Sequence, residues 1–249
     1  IESAHYIKGM HNLMGSQFNL GNYQKLNATL KDFEKFCNSK IVLQNHNNLI
    51  QCFIYHTISQ LNKHFLTGNF SDGLLLVEGI EEKLKEYEIY LDRHRILVIY
   101  YKIASMYFGT GNYETAIDYL NKIINWKVDL RNDLQCYARL LHLIAHYELG
   151  NYQLLEYLAK SVYRFMAKMQ NLSVVEEEMF KFLRKALTLN ARQLKPAFEK
   201  LLGKLKQFEN KRFETRAFMY LDMISWLESK INNVPVQKII QQKYLSKKQ

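Results

Sequence analysis

The triplet Gly-Asn-aromatic occurs four times in this chain, as Gly21-Asn22-Tyr23, Gly68-Asn69-Phe70, Gly111-Asn112-Tyr113 and Gly150-Asn151-Tyr152. The separations are 47, 43 and 39 residues, and each triplet stands between two segments whose apolar residues keep helical spacing. Such a recurrence restricts the chain to architectures that stack similar units. Glycine accepts the left-handed backbone that ends one helix, and asparagine caps the free N–H groups that open the next. The aromatic then wedges the two helices together, so each triplet predicts a helix-turn-helix corner.

The flanks agree. Before the third corner Ile96, Ile99, Tyr100, Ile103, Ala104 and Tyr107 form an apolar stripe, and after it Ala116, Ile117, Leu120, Ile123 and Ile124 form another. The only prolines are Pro196 and Pro235, and glycines number ten in 249 residues, which leaves long helix-forming stretches and little turn-rich β material. Helices are expected near 3–18, 23–37, 45–67, 71–86, 91–109, 113–126, 131–149, 153–169, 174–189, 196–209, 212–232 and 236–245. Ser173 with Glu176 reads as a capping box, the acidic run Glu176-Glu177-Glu178 suits the positive end of that helix, and Pro196 fits a first helical turn.

The segment from Gly111 through Tyr113, Ala116, Leu120 and Ile123 to Ile124 resembles the tetratricopeptide pattern, with Ala116 at the small contact position and Ala104 at the small position of the preceding helix. Elsewhere that small position holds Leu26, Gly73 and Leu155, and the spacings exceed the ~34 residues of a standard repeat. The chain is also similar to a group of bacterial helical-repeat proteins through Leu91-Asp92-Arg93-His94-Arg95-Ile96-Leu97 and Asp133-Leu134-Gln135-Cys136-Tyr137-Ala138-Arg139-Leu140-Leu141, a likeness that carries no activity with it. The resemblance implies an all-α, right-handed α-α superhelix of about 11–13 helices in stacked antiparallel pairs. Residues 1–190 are expected to hold the repeats and 191–249 a basic helical cap of the same continuous domain.

Charge is uneven. Residues 1–180 carry 18 Lys and Arg against 19 Asp and Glu, whereas 181–249 carry 16 against 5, so the net +10 arises in the last quarter. Lys200, Lys204, Lys206, Lys211 and Arg212 form a basic patch there, which makes nucleic acid the alternative partner. No apolar run nears the ~20 residues that span a bilayer, and no signal pattern opens the chain. Cys37, Cys52 and Cys136 are odd in number and lack a C-x-x-C pair, which points away from a disulfide framework and towards a reducing, cytoplasmic setting. The start at Ile1 already in helical spacing suggests a piece of a longer protein.

Chemistry is sparse. His142 and His146 share a helix face, but the pair lacks the acidic flank of a zinc-protease helix, and a structural role is expected. His94 lies between Arg93 and Arg95 and reads as a surface feature. Phosphate loops and nucleophile elbows are missing, so no enzyme, cofactor or metal is expected. If the first helix of each pair lines a concave groove, Tyr55, Asn62, Tyr101, Ser105, Tyr137 and Glu148 face a protein or peptide partner. Ile58 stands where the two-carboxylate clamp of the family has lysine, which excludes that clamp. The expected function is a non-catalytic interaction scaffold.

Overall fold

The structure is a computed structural model that describes residues 2–126, 132–169, 174–208 and 222–246. The described residues are helical and contain no strand. The chain divides into two compact units, one of residues 1–103 with 240–249 and the other of residues 104–239. The divisions fall inside two helices, between residues 103 and 104 and between 239 and 240.

The first unit contains α1 (Glu2–Asn19), α2 (Tyr23–Cys37), α3 (Lys40–Leu43), α4 (His46–Thr67), α5 (Phe70–Leu74), α6 (Val77–Glu86) and the first part of α7 (Arg93–Thr110). At its centre is α4, packed against α1, α2, α3 and α5. Ile7, Met14, Leu26, Phe33 and Leu61 are wholly buried there, the pairs on α1 and α2 each two helical turns apart on one face. The expected helix over 71–86 is broken in two. Leu75 and Leu76 bond back three residues, to Asp72 and Gly73, and this tighter turn ends α5 before α6 begins.

The second unit contains the end of α7, then α8 (Tyr113–Ile124), α9 (Asn132–Glu148), α10 (Tyr152–Lys168), α11 (Val174–Ala186), α12 (Ala191–Lys206), α13 (Met223–Asn232) and the start of α14 (Val236–Ser246). Helix α9 is buried on nearly every side between α8 and α10. Its polar residues serve the neighbouring helix end: Gln135 Nε2 donates to the Ile123 carbonyl at 2.7 Å, and Arg139 to that of Ile124 at 3.4 Å. Pro196 is not at a helix start. Asn190 and Gln193 form a reciprocal capping box that starts α12 at Ala191, five residues before the proline, which puts Pro196 in the body of the helix. Ser173 lies outside the described residues, although Glu176 and Glu177 do occupy the first turn of α11.

All four corner glycines have positive φ, at 65°, 70°, 90° and 72° for Gly21, Gly68, Gly111 and Gly150. At three corners the Gly N–H bonds three residues back and the Asn N–H five residues back, as with Gly111 to Phe108 and Asn112 to Tyr107. The Asn22 and Asn112 side chains cap the next helix, accepting from Lys25 and Thr115 N–H. The other two are used differently: Asn69 Oδ1 accepts from Gln241, and the Asn151 amide meets His146 Nδ1 at 3.0 Å.

Candidate functional site

In the first unit Tyr55, Asn62 and Tyr101 are all buried. The Tyr55 ring stacks on His11 with centroids 4.0 Å apart, and the Arg95 guanidinium covers it at 5.3 Å. Arg95 also meets His11 Nε2 at 3.4 Å. Burial, then the charges of Arg95 and Lys8, push the His11 pKa down to about 4. This cluster holds α1, α4 and α7 together. Asn62 Oδ1 is buried without a hydrogen-bond partner among the described residues.

Sequence reasoning missed two features of this unit. The Lys102 ammonium lies over the rings of Phe18, at 5.2 Å, and Phe65, at 5.0 Å, and burial lowers its pKa to about 8. Cys37 and Cys52 are both free, and the neighbouring Cys52 thiol, then burial, raises the Cys37 pKa. Fifteen residues of separation hid that contact, because it depends on how α2 crosses α4.

In the second unit Tyr137 is buried, Ser105 is half-buried, and the Glu148 side chain is only 4% exposed. The Glu148 carboxylate accepts from Trp226 Nε1 and from Lys230 Nζ, each at 2.6 Å. Tyr113 lies beside it, and burial, the Glu148 charge and a hydrogen bond to Glu148 raise its hydroxyl pKa. Glu148 therefore ties α9 to α8 and α13. His142 and His146 do face each other, with rings 4.5 Å apart, and burial followed by the His146 and Arg139 charges lowers the His142 pKa to about 4. Among the described residues no three His, Cys, Asp or Glu side chains converge as metal ligands.

Most of the expected groove row thus packs between helices in this structure, and the accessible surface of the second unit is elsewhere. Helix α10 turns Leu155, Ala159, Val162 and Met166 inward and leaves Tyr152, Leu154, Tyr157 and Tyr163 between 45% and 74% exposed. Alongside it α10, α11 and α12 carry exposed Lys160, Arg164, Lys181, Arg184, Lys200 and Lys204. Of the basic patch, Lys204 pairs with Glu178 at 2.6 Å and Lys206 with Glu228 at 2.9 Å, while Lys200 is exposed. Lys211 and Arg212 lie outside the described residues. A period-3.6 reading of α10 could have found Leu154 and Tyr157, which fall on the side away from Leu155, Ala159, Val162 and Met166, whereas Tyr152 and Tyr163 flank that inward row. Among the described residues no helix is long and apolar enough to cross a membrane. Compared with protein families, curated proteins and solved structures, the chain matches none.

Proposed function

We propose that this chain is a non-catalytic interaction scaffold that grips a peptide or partner helix, and that its helices are stacked antiparallel pairs of a tetratricopeptide-like superhelix. The outward face of α10 carries this reading. Leu154 and Tyr157 on the side away from its core row, and Tyr152 and Tyr163 on one flank of that row, leave α10 with exposed apolar surface, and tyrosine is apt at interfaces because it buries area at low entropy cost. The titratable groups in perturbed surroundings support it too. His11 is spent on stacking, His142 on its histidine neighbour and Glu148 on a tryptophan and a lysine.

Nucleic-acid association through Lys200, Lys204 and Lys206 has less support, because Lys204 and Lys206 are already paired with glutamates. Affinity capture from the native host tests the scaffold reading. The wild-type chain should retain a protein that Tyr157→Asp and Tyr163→Asp variants retain at least about tenfold less, a change on the order of 1.4 kcal/mol. Equal retention by wild type and variants counts against the α10 face.

A further inference from the structure

Two adjoining grooves run across the solvent side of α10, α11 and α12. The first, of about 260 Å³, lies between α10 and α11, with Ala159, Tyr163 and Phe180 as its apolar floor and Lys160, Arg164 and Arg184 on its rim. The second, of about 190 Å³, lies between α11 and α12 over Phe182, Ala197 and Leu201, with Lys185, Lys200 and Lys204 around it. Lys181 lines both, so the two form one continuous strip.

The strip sorts its charges into spent and unspent. Glu156 pairs with Lys160 at 2.7 Å, and Glu178 pairs with both Lys181, at 3.0 Å, and Lys204, at 2.6 Å. These pairs lower the Glu156 and Glu178 carboxyl pKa values, chiefly through the lysine hydrogen bonds. The side chains of Arg164, Arg184, Lys185 and Lys200 are exposed and make no hydrogen bond or ion pair with the described residues. Four uncommitted cations therefore flank two apolar floors.

We infer that this strip is the docking surface for an acidic peptide segment with interspersed apolar side chains, an inference that rests on the scaffold reading. Apolar residues of the peptide enter the floors, and its carboxylates meet Arg164, Arg184, Lys185 and Lys200. The planar guanidinium groups favour carboxylates through bidentate bonding. A nucleic-acid strand fits worse. Its affinity would come from regularly spaced phosphates, which have no use for the apolar floors of Ala159, Phe180, Phe182 and Leu201 beneath the cations.

The test pans a phage-displayed library of random peptides on the immobilised full chain and titrates the recovered peptides by fluorescence anisotropy. Enrichment of Asp and Glu interleaved with apolar residues is expected. The double variant Arg164→Glu/Arg184→Glu should weaken those peptides at least about tenfold, while Lys25→Glu/Lys40→Glu, which makes the same charge change on exposed residues of α2 and α3, should not. Circular dichroism confirms that each variant is folded. Recovery of neutral or basic peptides, recovery of none, or equal loss in both variants overturns the proposal. So does tighter binding of a single-stranded or duplex oligonucleotide that the groove variant abolishes. If host capture persists in the groove variant, the strip is wrong and the scaffold reading stands; if wild type captures nothing, both fall.

Discussion

The indole N–H of Trp226 donates to Glu148 Oε1 at 2.6 Å, joining α13 to α9 across 78 residues of chain. Both groups are buried: Trp226 is 1% exposed and the Glu148 side chain 4%. Lys230 supplies the counter-charge at the other carboxylate oxygen. A buried carboxylate with that many donors is a fastener of the second unit, and removing either side should show it. Glu148→Ala leaves the Trp226 N–H and the Lys230 ammonium without their acceptor and should cost about 3–5 kcal/mol. Trp226→Phe keeps a ring in the same space and the Lys230 pair intact, and should cost about 1–3 kcal/mol. Urea unfolding of both variants checks the order.

The small contact of the α7–α8 corner makes a second prediction. Ala104 and Ala116 are both wholly buried, so a larger side chain at 116 must displace its surroundings. Ala116→Leu should destabilise by about 1–3 kcal/mol. Glu114→Ala, exposed in the same turn, should change stability by about 0.5 kcal/mol or less.

Two glycine substitutions should move stability in opposite directions although both sites have open space for a Cβ. Gly111 has φ +90°, so Gly111→Ala strains the backbone and should cost about 1–2 kcal/mol. Gly79 lies within α6, and Gly79→Ala should stabilise by about 0.5–1 kcal/mol by restricting the unfolded chain. Thermal melts of the two variants should bracket the wild type.

Titration gives a fourth contrast. His11 and His142 have folded pKa values near 4 against an ordinary 6.5, so the unfolded chain binds more protons between those values. Stability should therefore be fully present above pH 6.5 and fall as pH drops towards 4. Lys102 acts at the other end. Its folded pKa near 8 against 10.5 means that its burial penalty is constant below pH 8 and is relieved as pH rises to 10.5. Lys102→Met should thus stabilise by about 1–3 kcal/mol at neutral pH, with the gain shrinking above pH 8. A gain independent of pH contradicts the assignment.

The corners were legible because their information is local. A left-handed glycine and the helix end it makes depend on a few consecutive residues, and all four glycines take that conformation. The sequence also holds a longer form of the motif, an aromatic three residues before each glycine, as Phe18, Phe65, Phe108 and Tyr147. In three corners its ring meets the corner aromatic, with Phe65–Phe70, Phe108–Tyr113 and Tyr147–Tyr152 centroids 5.1, 5.2 and 6.1 Å apart. What was hidden depends on distant chain. Glu148 is a plausible surface carboxylate until α13 brings Trp226 and Lys230 to it, and Tyr55 a plausible contact residue until α1 brings His11. The burial of most of the groove row was hidden because one helix periodicity separates faces but does not say which face a later helix will cover.

Site-specific photo-cross-linking in the native host tests the central claim most directly. A benzophenone side chain placed at Tyr157, at Tyr163 or at Ser105 compares the exposed tyrosines of α10 with the half-buried member of the expected groove row. The account predicts adducts to one protein from positions 157 and 163 and none from 105, with the linked segment rich in acidic and apolar residues. Adducts from 105 alone, or to nucleic acid from 157 and 163, would contradict it.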